Sequence, residues 1–162
     1  MGNSEAGYDM RNKVCLAASS GGHLEEILNL KGLTKYYDLI LLTEKTRYPI
    51  KTWVEKVYYI PQVNRKEILC LPKLICALFI SLYLVIKEKP FVVISIGALA
   101  TIPVCLVAKM FGVRVIYIES FARKKGMSKT GKFLCKFADV TIVQWEEMLE
   151  YCPNAVYGGM IY

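Results

Sequence analysis

Six short runs of β-favouring residues recur along this 162-residue chain, interleaved with segments long enough for helices. The runs are Lys13–Ala18 (KVCLAA), Asp38–Thr43 (DLILLT), Lys56–Ile60 (KVYYI), Phe91–Ile96 (FVVISI), Val113–Ile118 (VRVIYI) and Val140–Val143 (VTIV). The helical segments begin at His23, which opens a pattern running to about Leu33. Leu24, Ile27 and Leu28 fall on one face of it, and Glu25, Glu26 and Asn29 on the other. Glu67–Ile86, Thr101–Phe111, Ser128–Phe137 and Gln144–Tyr151 follow. Short apolar strands alternating with helices predict βαβ units and a parallel sheet covered on both faces. The expectation is a single Rossmann-like α/β domain over residues 13–162 behind a polar tail, Met1–Asn12. That tail has no apolar core of the signal-peptide kind, so the chain is expected in the cytosol or facing it.

Charge narrows the class of partner. Lys and Arg number 21 against 14 Asp and Glu. Six of those cations (Arg123, Lys124, Lys125, Lys129, Lys132 and Lys136) lie between Ser120 and Ala138, a stretch without one acidic residue. Without them the chain is close to neutral. A field this local predicts an anionic partner, such as a phosphate or an acidic headgroup, unless it is only a solvated face. Nucleic acid is not expected, because the stretch carries no recognition motif.

One segment conflicts with an ordinary soluble α/β protein. Leu74–Ile86 reads LICALFISLYLVI and is apolar all round except for Ser81. At 1.5 Å per residue this core is about 20 Å long, short of the roughly 30 Å hydrocarbon layer. Lys66, Lys73, Lys87 and Lys89 flank it. The reading is an interfacial or partner-covered helix, with Lys73, Leu78, Phe79, Leu82, Lys124 and Lys125 as membrane or anion contacts. Thr101–Phe111 is similarly apolar. Burial against another protein subunit is the competing account.

In an open parallel sheet, ligands bind beyond the carboxyl ends of the strands, and three segments lie there. Ser19-Ser20-Gly21-Gly22-His23 has the composition of a phosphate cradle, although glycine also serves such turns for steric reasons alone. Ser95-Ile96-Gly97-Ala98 precedes a second helix. Glu119-Ser120-Phe121-Ala122-Arg123 opens the basic stretch. His23 is the first candidate base and Glu119 the second, each with a structural alternative: a cap for His23, an ion pair for Glu119. Ser20, Gly21, Gly22, Gly97, Ala98, Ser120 and Arg123 are the candidate acceptor- or phosphate-binding residues. Gly126–Lys132 matches G-x-x-x-x-G-K, but Phe133 stands where a Ser or Thr is required, so a nucleotide-binding P-loop is not expected. Cys15, Cys70, Cys76, Cys105, Cys135 and Cys152 contain no C-x-x-C pair and read as small buried hydrophobes in a reducing compartment. With His23 the only histidine, no metal or other cofactor is expected.

Taken in order, AASSGGHLEEILNL, ISIGALATIPVCLVAKMFGVRVIYIESFARKKGMSKTGK and ADVTIVQWEEMLEYCPNAVYGG resemble one family. It is the PssD/EpsE/CpsF group of bacterial polysaccharide-synthesis proteins, together with the membrane-anchoring subunit of the eukaryotic dolichol-linked chitobiose synthase. The combination IES-x-AR, S-x-TGK, AD and VQWE carries the likeness from about Lys13 to Tyr162. A more distant similarity is to the N-terminal half of MurG, where a GG-x-GGH loop, a glycine loop and an EQN segment match Ser19–His23, Ser95–Ala98 and Glu119–Phe121. The resemblance implies the acceptor half of a two-domain GT-B glycosyltransferase, with UDP-sugar binding supplied by a separate small subunit. It implies a polyprenyl-diphosphate-linked sugar as acceptor, a place on the cytosolic membrane face, and exopolysaccharide or capsule assembly as the setting. Gln144, Trp145, Gly158 and Gly159 are then the expected partner interface. A scaffold that only anchors a complete transferase is the alternative.

Overall fold

The computed structural model describes residues 12–161, so the polar tail lies outside the described residues except for Asn12. Among the described residues, seven parallel strands form one sheet in the order β3-β2-β1-β4-β5-β6-β7. They are β1 (Lys13–Ala18), β2 (Asp38–Glu44), β3 (Lys56–Ile60), β4 (Val92–Ile96), β5 (Arg114–Ile118), β6 (Val140–Val143) and β7 (Val156–Tyr157). Four α-helices accompany them: α1 (Gly22–Leu28), α2 (Cys70–Glu88), α3 (Ile102–Met110) and α4 (Lys129–Leu134). The expected α/β architecture is present. β7 is an addition to the expected strands: two exposed residues beside Gly158 leave no apolar run to detect.

The inner strands are buried on both faces, and successive side chains alternate between two core clusters as the pleat requires. Cys15, Ala17, Ile40, Leu42, Val93, Val115 and Tyr117 face α2, α3 and α4. Val14, Leu16, Leu41, Val92, Ile94 and Ile118 face α1 and the segment around Val54. The register matters more for function. Ala18 pairs with both Thr43 and Ile96, Ile96 with Ile118, and Ile118 with Ile142. These strand ends are therefore level, and the loops that follow them share one edge. Between β1 and β4 the order reverses: α1 carries the chain outward to β2, and α2 returns it past β1. The crevice at that reversal is where an open α/β sheet takes its ligand.

Several local expectations are corrected. Glu26 is 2% exposed, not on an outer polar face. The expected first helix is α-helical only to Leu28 and continues as a 3-10 segment, Asn29–Lys35, that contains Gly32. Gln144–Tyr151 forms only a 3-10 turn, Glu146–Glu150. Of the six cysteines, Cys15, Cys105 and Cys152 are buried, but Cys76 is exposed and Cys70 and Cys135 are half-buried.

The orientation of α2 is the reverse of the usual amphipathic one. Its buried stripe is Ala77, Ser81, Leu84, Val85 and Glu88, and the Ser81 hydroxyl donates to the Ala77 carbonyl at 2.7 Å. Small residues, with that hydroxyl satisfied, let the helix lie close to the domain. The outward face carries Leu71, Ile75, Leu78, Phe79, Tyr83 and Ile86. At its end, Glu88 accepts from Lys13 (3.0 Å), Lys56 (2.8 Å) and Tyr58 (2.5 Å), fastening α2 to the starts of β1 and β3. Burial opposes ionisation of Glu88, but the bonds from Lys56, Tyr58 and Lys13 more than offset it and hold the carboxyl down at about 2.

Candidate functional site

The loops after β1, β4 and β5 meet at the reversal crevice. Gly21, at φ 79°, turns the chain out of β1, and its carbonyl accepts from Leu24 and Glu25 to start α1. That turn brings His23 back over the strand ends. Its Nδ1 lies 3.1 Å from Ser19 Oγ, which orients the ring. Gly97 lies beneath the ring at φ 49°: a Cβ there would stand 2.9 Å from His23 Nε2, 3.0 Å from Cδ2 and 3.4 Å from Ser120 Cβ. Only glycine meets both the backbone and the space requirement. Ser95 Oγ donates to Thr101 Oγ1 (2.7 Å), which donates to the Ala98 carbonyl (2.8 Å) and fixes the Gly97–Ala98 turn from behind. His23, Gly97, Ala98 and Ser120 are thus brought together, with exposed Gly21 and Gly22 at the mouth.

Two buried carboxylates that the sequence reading does not select hold the cleft in shape. Glu44, the last residue of β2, accepts from Ser20 N–H (3.1 Å) and Oγ (3.0 Å) and from Val63 N–H (2.9 Å). Glu26 accepts from Ser120 Oγ (3.2 Å), Phe121 N–H (2.7 Å) and the Gln144 amide. The available signals are an acid ending an apolar strand and an acid three residues after His23, one helical turn along the same face.

Other candidates lie elsewhere. Glu119 is 1% exposed, and its carboxylate accepts from Ser120 N–H (3.1 Å), Ser128 N–H (3.0 Å) and Ser128 Oγ (3.2 Å). It braces the turn into α4 and offers no base to a ligand in solvent. Burial, together with the Glu119 charge, pushes the nearby Tyr117 phenol well above its ordinary value, so it stays protonated. Gln144, expected at a partner interface, is 2% exposed. Trp145 is occupied within the chain, its Nε1 donating to the Phe121 carbonyl at 2.8 Å and its ring 4.9 Å from that of Phe121. Gly158 packs on β6, where a Cβ would meet Ile142 at 2.6 Å, whereas Gly159, at φ 72°, has open space around it.

The membrane and anion contacts divide likewise. Arg123 and Lys125 are exposed, while Lys124 lies 3.5 Å from Glu147 and over the Trp145 ring. Lys73 is paired with Glu67. Phe79 (65% exposed) and Leu78 (38%) face outward, but Leu82 packs against the core. Beside Leu78 a nearly wholly apolar groove of about 220 Å³ runs between α2 and α3, lined by Leu74, Ile75, Leu99, Ile102, Pro103 and Leu106. Leu99 is two residues beyond Gly97, so the groove starts beside the cleft. A larger hollow, about 430 Å³, lies at the opposite edge of the sheet, where Glu88 already engages its Lys13 and Lys56.

A level-ended parallel sheet with its crevice at the order reversal defines a Rossmann-type α/β domain, and its likeness to solved structures is to one half of two-domain GT-B proteins. The chain superposes on MurG from Acinetobacter baumannii with a TM-score of 0.67 at 18% identity, over 92% of this chain and 44% of that one. It superposes on UDP-N-acetylglucosamine 2-epimerase from Rickettsia bellii with a TM-score of 0.69 at 15% identity, over 93% and 45%. The chain therefore spans a little under half of each of these proteins, and at such identities the likeness is one of fold. In sequence, it is 27% identical to the mouse UDP-N-acetylglucosamine transferase subunit ALG14 over 92% of this chain and 82% of the relative. It is 33% identical to the Yarrowia lipolytica subunit of that name over 51% and 41%. Residues 34–161 match the family described as oligosaccharide biosynthesis protein Alg14 like, and the chain belongs to that family. The match is to the Alg14 branch of the resemblance and does not single out the PssD/EpsE/CpsF group.

Proposed function

We propose that this chain is the acceptor-binding, membrane-associated subunit of a split glycosyltransferase, and that a separate subunit binds the UDP-sugar. The observation that carries this reading is the convergence of His23, Gly97 and Ser120 at the crevice, beside an apolar groove that starts at Leu99. A lipid-linked sugar diphosphate needs both features, an anion-tolerant polar cleft and a dry channel for hydrocarbon. The glycine amides of Gly21 and Gly22 and exposed Arg123 receive the diphosphate, and the first isoprene units lie between α2 and α3. The outward face of α2 rests in the membrane interface. Although α2 has the length and hydropathy of a span, its inner stripe is committed to the domain, so it lies along the bilayer and does not cross it. This surface is assigned to the cytosolic leaflet, where anionic lipids meet the cations.

The chemistry follows from the geometry of His23. With its proton on Nδ1 donated to Ser19 Oγ, Nε2 is free to accept the proton of the acceptor hydroxyl. The hydroxyl oxygen bonds to the anomeric carbon from the face opposite the leaving UDP, with inversion. UDP-N-acetylglucosamine is the proposed donor, since the relatives' names specify that transferase. The family points to a short oligosaccharide as product, and exopolysaccharide or capsule assembly remains a setting drawn from the resemblance alone. The test is pull-down of the tagged chain from native membranes in mild detergent, then reconstitution with the recovered partner on a polyprenyl-diphosphate sugar. Transfer that requires both chains and falls in His23→Ala supports the reading. Full transfer by the partner alone in detergent, with this chain needed only on vesicles, would establish the scaffold alternative.

A further inference from the structure

We infer that Glu26 and Gln144 are positioning residues: together they set the Ser120–Ala122 turn as one wall of the His23 cleft and tie that wall to the Gly158–Ile161 segment. The turn is closed on itself by Arg123 N–H donating to the Ser120 carbonyl at 2.9 Å. Trp145 holds it from one side, its Nε1 donating to the Phe121 carbonyl at 2.8 Å, and Glu26 holds it from another. Glu26 accepts from Ser120 Oγ at 3.2 Å and from Phe121 N–H at 2.7 Å, so one carboxylate on α1 fixes both the side chain that faces Gly97 and the next amide. Because Glu26 is one turn beyond His23 on the same helix, it sets the spacing between the imidazole and Ser120.

Gln144 extends the connection. Its Nε2 donates to Glu26 and, at 3.1 Å, to the Glu119 carbonyl, while its Oε1 accepts from Ile161 N–H at 3.1 Å. Both ends of the amide are used, and a second carboxyl in its place would repel Glu26 or compete with it for a proton. Glu26 and Gln144 are each 2% exposed, so solvent cannot substitute for a lost bond. A displacement of the segment at Ile161 therefore bears on Gln144, then Glu26, then Ser120. Beyond β7 that segment contains Gly159, with open space around it, and exposed Met160, so a docking partner can reach it.

The test is hydrogen–deuterium exchange of the 120–122 amides in the full chain, which needs no activity. Gln144→Glu is expected to speed exchange at Phe121 by about tenfold. Ile161→Pro deletes the N–H and is expected to speed Phe121 exchange by several fold, whereas Ile161→Ala, which keeps it, is not. Equal effects of the two Ile161 variants, or Phe121 exchange in Gln144→Glu equal to wild type, would overturn the inference. If Gln144→Glu fails to fold, the Ile161 pair decides. A second readout rests on the proposed function: in the reconstituted transferase Gln144→Glu raises KM for the lipid-linked acceptor and leaves KM for the UDP-sugar unchanged. Wild-type chains that transfer nothing would refute that function, while exchange still judges the positioning role.

Discussion

His23 Nε2 sits over Gly97 across the boundary between β1 and β4, so closely that a Cβ added to the glycine would stand 2.9 Å from the nitrogen. Two loops 74 residues apart are in this way reduced to one surface. Their contact follows from the level ends of β1 and β4, where Ala18 pairs with Ile96.

Gly97→Ala should therefore separate activity from stability. The left-handed backbone at φ 49° costs alanine about 1 kcal/mol, and the methyl group displaces the imidazole. Thermal unfolding is expected to shift modestly, while transfer falls at least tenfold, since misplacement by about 1 Å can cost as much as 10²-fold. Differential scanning fluorimetry alongside initial rates checks both halves. A rate equal to wild type would mean that the His23–Gly97 contact is incidental to the chemistry.

Much of this arrangement is legible in the chain itself, for a physical reason. Buried parallel strands are near-continuous apolar runs, so KVCLAA, DLILLT and FVVISI declare themselves, and the loops after them carry Gly21, Gly22 and Gly97. What pattern reading misses is polar burial. Glu26 and Gln144 look like surface residues because helical periodicity and composition are blind to a partner 118 residues away. The same blindness sends Glu119 to the cleft when its carboxylate braces α4. On α2, apolar composition is plain in the sequence, but nothing there assigns the lone serine a side; it faces inward because its own helix satisfies it.

Acid should loosen the attachment of α2. Glu88 ordinarily titrates near 4.5 and is held at about 2 in the folded chain. A depressed carboxyl contributes stability in full above its unfolded value, and that contribution disappears as pH falls from about 4.5 through 2. After allowance for the part-exposed lysines around it, the contribution is about 2–3 kcal/mol. Glu88→Gln should lower stability at pH 7 by an amount of that order and flatten the acid limb of a stability–pH curve. A curve for the variant that parallels wild type between pH 4.5 and 2 would show that Glu88 is not the titrating anchor.

Phe79 and Leu82 lie three residues apart on α2 and should respond oppositely. Phe79, 65% exposed, is expected to contribute to vesicle binding and little to folding. Phe79→Glu should weaken flotation with anionic liposomes by about 10-fold or more, from roughly 1.5–3 kcal/mol of lost burial, with thermal stability unchanged. Leu82→Glu should destabilise the fold itself by several kcal/mol, because that side chain packs against the core. Flotation of Phe79→Glu equal to wild type would remove the outward face of α2 from the membrane contact.

Ser19 and His23 make the last test, because their 3.1 Å contact predicts unequal losses. If His23 takes the acceptor proton, His23→Ala should lower kcat by about 10²–10⁴-fold. It should leave KM for the UDP-sugar in place, because the proposed function puts the donor on the other subunit. Ser19→Ala removes only the group that orients Nδ1. The imidazole still lies over Gly97, so kcat should fall by no more than about tenfold, the worth of one modest hydrogen bond. His23→Gln tests shape against basicity: it can hydrogen-bond the acceptor but cannot carry its proton. Recovery of transfer by His23→Gln to near wild type would make His23 a binding residue and leave the proton to solvent or to the donor phosphate.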